Sequence, residues 1–112
     1  IAGLKPQKFP TFSYDASKAA LHHLSRKLAD ELSSRNITVN VPALGFFPTN
    51  MTDSLDVYGK DVKDNIMANG LLIKRVGRAS DVGGAAVYLA SSAGSWVTGT
   101  TLTCDGGFLS KL

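Results

Sequence analysis

Between Tyr14 and Arg35, apolar residues recur every four positions, at Ala16, Ala20, Leu24, Leu28 and Leu32, and Leu21 and Ala29 widen the stripe. That period predicts an amphipathic helix with its apolar side on a core. Lys27, Asp30, Glu31 and Arg35 fall mostly outside the stripe. Asn36 tolerates left-handed backbone and reads as the helix stop. Ahead of the helix, residues 1–13 carry Gly3, Pro6 and Pro10 among Lys and Gln, which is loop chemistry. After it, Ile37–Val41 is short and rich in β-branched residues. A buried strand is predicted there, ended by Pro42, because proline donates no ladder hydrogen bond. Residues 43–53 read as a loop around Gly45-Phe46-Phe47-Pro48-Thr49. Asp53–Gly70 is polar, with Leu55, Val57, Val62 and Ile66 loosely spaced, and predicts a weakly helical, lid-like stretch.

The period returns with Val82, Ala85, Ala86, Leu89 and Ala90. Ser80 as N-cap and Asp81 in the first turn predict a helix to about Ser91. Gly83 and Gly84 each cost about 1 kcal/mol of helix propensity relative to Ala, so close packing is expected to offset them. Thr100–Cys104 predicts a second strand, turned off by Asp105-Gly106-Gly107. Two strands joined through a helix imply a parallel pair with a right-handed crossover. Two parallel strands cannot stand alone, since such sheets need helices on both faces and further neighbours. The fold class is therefore α/β, as the C-terminal part of a doubly wound parallel sheet.

Composition limits the function classes. The chain has 112 residues, 44% apolar and 19% charged, and so reads as one globular domain or part of one. A net charge of +3 without a basic run gives no face for nucleic acid. No apolar run approaches the roughly 20 residues of a membrane span. A lone Cys104 leaves no internal disulfide and no multi-cysteine metal site. The sequence opens Ile1-Ala2-Gly3-Leu4 without Met, and is expected to begin mid-protein.

Tyr14 and Lys18 stand four apart near the start of the first helix, on one side within one turn. A phenol near pKa 10 is a poor acid–base catalyst at neutral pH, and an ammonium held close favours the phenolate. The pair could give a proton to a carbonyl or take one from an alcohol. By spacing alone, a Tyr and a Lys on a solvated helix face are the commoner case.

The surroundings favour the first reading. Tyr14-Asp15-Ala16-Ser17-Lys18-Ala19-Ala20 resembles the Tyr-x-x-x-Lys segment of the short-chain dehydrogenase/reductase family. Ile37-Thr38-Val39-Asn40 resembles the family's next strand, and Gly45-Phe46-Phe47-Pro48-Thr49 its Pro-Gly-x-x-x-Thr cofactor loop. Gly77–Val82 and the stretch from Val97 to Gly107 resemble its closing segments, most nearly those of 3-oxoacyl-(acyl-carrier-protein) reductases. The resemblance implies an NAD(P)-dependent oxidoreductase that moves hydride between the nicotinamide and a small-molecule carbonyl/alcohol substrate. It makes Tyr14 the general acid/base, with Lys18 depressing its pKa and binding the nicotinamide ribose. Thr49 would meet the carboxamide, and Gly45 would let the backbone approach the ring. The implied cofactor set is Tyr14, Lys18, Gly45, Phe47 and Thr49. The implied cofactor is NAD or NADP, NADP slightly favoured, and a complete chain would form a homo-oligomer, dimer or tetramer.

The sequence departs from the family at two points. Leu44 stands where the family has proline, with Pro42 two residues earlier. The family's glycine-rich turn, which sets a pyrophosphate at a helix N-terminus, has no match here. The family's catalytic Ser would fall at or before Ile1, so residues 1–112 are expected to be the C-terminal half of one Rossmann domain. That half alone is expected to show no turnover. A truncated, non-catalytic association module is the alternative reading. A sugar-nucleotide epimerase, which shares Tyr-x-x-x-Lys, fits the Thr98–Gly107 ending poorly.

Other residues have plainer readings. His22 and His23 read as surface or interface imidazoles, since no third metal ligand accompanies them. Cys104 and Trp96 are expected to pack, as are Phe46 and Phe47, which could also wall a substrate site. The closing Ser110-Lys111-Leu112 is a peroxisomal address where the source is eukaryotic, with the cytoplasm as the alternative.

Overall fold

The predicted first helix forms as α1, Phe12–Ser33. Its stop is the expected one: Asn36 has φ 55°, and Ile37 N–H reaches back to Leu32 C=O at 3.3 Å, closing the helix through a left-handed residue. The computed structural model describes residues 1–6, 9–53 and 64–112, so the expectations for Leu55, Val57 and Val62 lie outside the described residues. Ile66–Gly70, at the end of that polar stretch, is a single π-helical turn.

The face that α1 turns inward is not the leucine stripe. Leu21, Leu24 and Leu28 are 45%, 50% and 39% exposed, and Ala16 and Ala20 are exposed as well. The buried positions are His22, Ser25 and Ala29, flanked by half-buried Lys18 and Leu32. These also follow helical spacing, one row over. Small and polar side chains face the sheet, where His22 meets Thr101, and two strands cannot reach around to cover the leucines.

The sheet is the parallel pair β1, Val41–Leu44, and β2, Thr101–Cys104, in register from Val41 opposite Thr101 to Leu44 opposite Cys104. The strand predicted at 37–41 is therefore displaced, and Pro42 lies inside it instead of ending it. Parity explains this. The N–H groups of Val41 and Gly45 donate across to Thr100 and Cys104, so position 42 points its backbone nitrogen away from β2. Residues 37–40 run beside 97–100 without a regular ladder. Asn40 replaces it: its amide donates to Val97 C=O at 2.8 Å, and its oxygen accepts from Thr100 N–H at 3.2 Å.

The short turn α2, Asn50–Asp53, follows the β1 loop, and α3, Ala79–Ala90, leads back towards β2. Ser80 is not the N-cap of α3. That position belongs to Arg78, whose N–H donates to the Asp81 carboxylate at 2.7 Å. Thr101 faces α1 through His22, while Cys104 approaches the Asp81 carbonyl in α3. Three residues apart on a strand, they point to opposite faces. One helix thus covers each side of a parallel pair, the layering expected of a doubly wound sheet.

The described core is small: Ala29, Ala43 and Leu71 are its buried apolar residues. No residue of α3 is buried, and Gly83 and Gly84 face open space, so the close packing expected at these glycines is absent. No described helix is long and apolar enough to cross a membrane.

Two glycines should respond oppositely to alanine. A Cβ on Gly45 would stand 2.6 Å from Asp105 Cα, so Gly45→Ala should lower unfolding stability by about 1–3 kcal/mol. Gly84→Ala meets nothing within 4 Å and should raise stability by up to about 1 kcal/mol through helix propensity. Urea midpoints of the two variants check both signs.

Candidate active site

The N-terminus of α1 is organised around Thr11 and Asp15. Thr11 C=O accepts from Asp15 N–H at 2.9 Å, and the Thr11 hydroxyl donates to the Asp15 carboxylate at 3.0 Å. This fixes the first turn, where Tyr14 is 40% exposed. Lys18, one turn on, lies with Nζ 5.2 Å from the centroid of the Tyr14 ring, within cation–π range. Ser17, between them, donates to Tyr14 C=O at 2.7 Å and so takes a structural bond. The pair therefore presents an accessible phenol with an ammonium against its ring.

The second cluster sits on the loop after β1. Gly45 approaches Asp105 closely, so the loop and the turn after β2 meet where the strands end. That turn is fixed by Asp105, whose carboxylate accepts from the N–H groups of Gly107 and Leu109, both at 2.8 Å. Gly106 and Gly107 have positive φ, and a Cβ on Gly107 would collide with Leu72 at 2.7 Å. Phe47 lies flat on Gly77, and Phe46 meets Phe108 edge to face with centroids 5.3 Å apart. Thr49 is exposed. Its hydroxyl accepts from Thr52 N–H at 3.2 Å and lies 3.3 Å from the Thr52 hydroxyl, with which it shares a second hydrogen bond.

Residues 1–4 join the two clusters. Ile1 N–H donates to Leu44 C=O at 3.1 Å, and Gly3 lies so close to the Lys18–Ala19 backbone that a Cβ would stand 2.5 Å from Lys18 C. Residues 1–3 thus touch both the Lys18 backbone and the last residue of β1, which the loop with Gly45, Phe47 and Thr49 follows. A cavity of about 300 Å³ opens at the same end of the strands, walled by Phe46, Phe47, Leu71 and Ile73, with Arg75 and Asp105 at its polar side. Phe46 and Phe47 therefore both pack and wall a cavity.

Two plainer expectations change, and that for Cys104 does not. His22 is not a surface imidazole: it is 8% exposed, and Nδ1 lies 3.3 Å from Thr101 Oγ1. Burial first, then the Ile1 ammonium, Arg26 and Lys18, push its pKa below the usual imidazole value. Trp96 does not pack among the described residues; it is 99% exposed. Cys104 is half-buried, against the α3 backbone. Among the described residues, no group of three or more His, Cys, Asp or Glu side chains could hold a metal.

Asn40, Phe108 and the Arg75–Asp81 pair are structural contributors that the sequence did not single out. Arg75 meets Asp81 with both nitrogens, at 2.6 and 3.1 Å, and fastens the 71–77 segment to the start of α3. Asp81 at a predicted helix start was the available signal, but its partner six residues earlier lies outside helical spacing.

Residues 5–109 match the family model described as enoyl-(acyl carrier protein) reductase. The chain is 38% identical, over 110 residues and 96% of its length, to a rhamnolipids biosynthesis 3-oxoacyl-(acyl-carrier-protein) reductase of Pseudomonas aeruginosa. It is 41% identical, over 102 residues and 88% of its length, to a 2-dehydro-3-deoxy-D-gluconate 5-dehydrogenase of Dickeya dadantii. The chain spans 41% and 38% of those two proteins, about two fifths of the relatives' length. Among solved structures, it superposes on the Pseudomonas aeruginosa RhlG/NADP active-site complex with a TM-score of 0.81 and 38% identity, covering 96% of this chain and 42% of that one.

The Arg75–Asp81 pair carries a pH signature. The Arg75 bond first, and the Arg78 N–H second, draw the Asp81 carboxyl from 3.8 down to about 2. A depressed carboxyl contributes stability above its unfolded value and loses it as pH falls through the folded one. Unfolding midpoints should therefore drop between about pH 4 and pH 2, and Asp81→Asn should flatten that part of the profile.

Proposed function

Because the chain belongs to the short-chain dehydrogenase/reductase family, we propose that it carries the acid–base side of an NAD(P)-dependent oxidoreductase. The observation that supports this best is Lys18 Nζ lying 5.2 Å from the Tyr14 ring centroid at the accessible start of α1. In reduction, the Tyr14 phenol gives its proton to the substrate carbonyl oxygen while the carbon takes hydride; in oxidation both move back. The nicotinamide, when bound, supplies or accepts that hydride. Lys18 places a positive charge beside the phenol and is read as the partner of the nicotinamide ribose. Thr49, exposed and carrying a hydroxyl that can both donate and accept, is read as the partner of the carboxamide. Gly45 offers backbone without a side chain, and Phe47 gives the ring an apolar neighbour.

NADP is preferred over NAD, since the similar RhlG structure is an NADP complex. The substrate class is a small carbonyl or alcohol; the cavity walled by Phe46 and Phe47 is lined by neither Tyr14 nor Lys18 and is not assigned to it. The chain is read as the C-terminal part of a single Rossmann domain. The exposed row Leu21, Leu24 and Leu28 favours a homo-oligomer in the complete protein. A second reading, a non-catalytic association module, draws on α3, which buries nothing, and on Trp96, which is exposed. NADPH binding by the complete protein separates the two: an association module would leave the nicotinamide fluorescence unchanged.

Leu112 is fully exposed while Lys111 is half-buried and donates to Asn69 C=O, so a peroxisomal import receptor reading Ser110-Lys111-Leu112, where these residues close the native chain of a eukaryote, would have to displace that bond. Fluorescent protein ending in residues 105–112 should then collect in peroxisomes of a eukaryotic cell, and deletion of the last three should return it to the cytoplasm.

In the complete native protein, Tyr14→Phe should cut hydride transfer at least about 100-fold, the usual weight of a general acid. Cofactor affinity should change little. Absorbance of NADPH follows the first and its fluorescence the second. Turnover at the native rate would remove Tyr14 from the acid–base role.

A further inference from the structure

We propose that His22, hydrogen-bonded to Thr101 of β2, is the positioning residue that sets the register of α1 on the sheet and so places Tyr14 and Lys18. The inference rests on the oxidoreductase reading given above. Tyr14, Lys18 and His22 follow one another at four-residue intervals, so all three share one side of α1. A shift of the helix at His22 moves the other two with it.

The other buried residues of this face, Ser25 and Ala29, give the sheet no directional side-chain bond. Ala29 lies where a Cβ on Gly99 would touch it at 3.6 Å, a contact that tolerates sliding. Ser25 donates to Leu21 C=O within its own helix at 2.8 Å. The His22–Thr101 bond is directional and joins residues 79 apart in sequence. A buried imidazole left without a partner would be costly, so the bond selects one alignment of helix and strand.

The surroundings add a pH dependence. From α1, Lys18 and Arg26 act on His22; from residues 1–4, the Ile1 ammonium; from β2, the uncharged Thr101 hydroxyl. Every charged group acting on it is a cation. A protonated His22 would complete a row of three cations, Lys18, His22 and Arg26, at helical spacing, and would bury one of them. Docking of α1 should therefore weaken in acid, below the ordinary imidazole range.

The test uses the complete native protein. His22→Asn keeps a polar atom close to the Nδ1 position for Thr101, His22→Leu fills the space without one, and Thr101→Val removes the partner from the strand side. His22→Leu and Thr101→Val should each lower kcat about tenfold with cofactor Kd changed less than about twofold, and His22→Asn should recover most of it. Circular dichroism checks that each variant is folded. The wild type should lose kcat in acid as His22 protonates, and His22→Asn should lack that limb. Two NMR signals need no turnover and stand even if the oxidoreductase reading fails. The His22 imidazole should titrate below 6.5, and the Tyr14 ring resonance should shift in Thr101→Val and return close to its native position in His22→Asn. A folded His22→Leu or Thr101→Val protein with native kcat, an acid limb that persists in His22→Asn, or a Tyr14 resonance indifferent to Thr101→Val would each overturn the proposal.

Discussion

The parallel register of β1 and β2 is the constraint from which the rest of the molecule follows. With Val41 opposite Thr101 and Leu44 opposite Cys104, both strands end at the same level. Gly45 and Asp105 therefore leave the sheet side by side, close enough that only hydrogen fits between them. A shift of one residue would invert every side chain across the sheet, moving Thr101 from the α1 face to the α3 face. It would also bring the missing N–H of Pro42 into the ladder. Asn40 holds the register at the start of the pair by bonding both Val97 and Thr100, so the alignment is fixed before the first strand residue.

From that register the two helices take unequal places. α1 presents its small, polar row to the sheet and leaves Leu21, Leu24 and Leu28 outside, while α3 rests against both strands without burying a residue. Burial of apolar area is thus a weak source of specificity here. Directional contacts carry more of it: Asn40 across the strand ends, Arg75 to Asp81, His22 to Thr101, and the Asp105 carboxylate on its own turn. Polar groups of this kind define geometry more than they add stability, because each exchanges a bond to water for a bond within the protein. A helix whose apolar row faces outward and a tryptophan in full contact with solvent are surfaces of the sort that partners cover.

The chemistry divides along the same lines. The proton-handling pair is local: four residues in one helical turn bring Lys18 against the Tyr14 ring. The loop after β1 is not local. Its conformation depends on Phe47 resting on Gly77, Phe46 meeting Phe108 and Gly45 meeting Asp105, contacts with two other parts of the chain. A loop fixed by such distant partners can keep its Gly–Thr spacing while its tilt responds to changes far away.

What the sequence determined by itself is what repeats at short range. Helical period located α1 and α3, Asn36 marked a left-handed stop, Asp81 marked a first turn, and the Tyr14–Lys18 interval placed two groups on one side of a helix. The α/β order and the parallel pairing also followed, since a strand, a helix and a strand have few ways to connect. The tertiary structure decided which row of α1 faces inward, that Pro42 lies within a strand, and that His22 is buried while Trp96 is exposed. Periodicity fixes which side chains share a face but not which face meets the sheet. That choice depends on the width of the sheet and the closeness of approach, which are set by residues dozens of positions away.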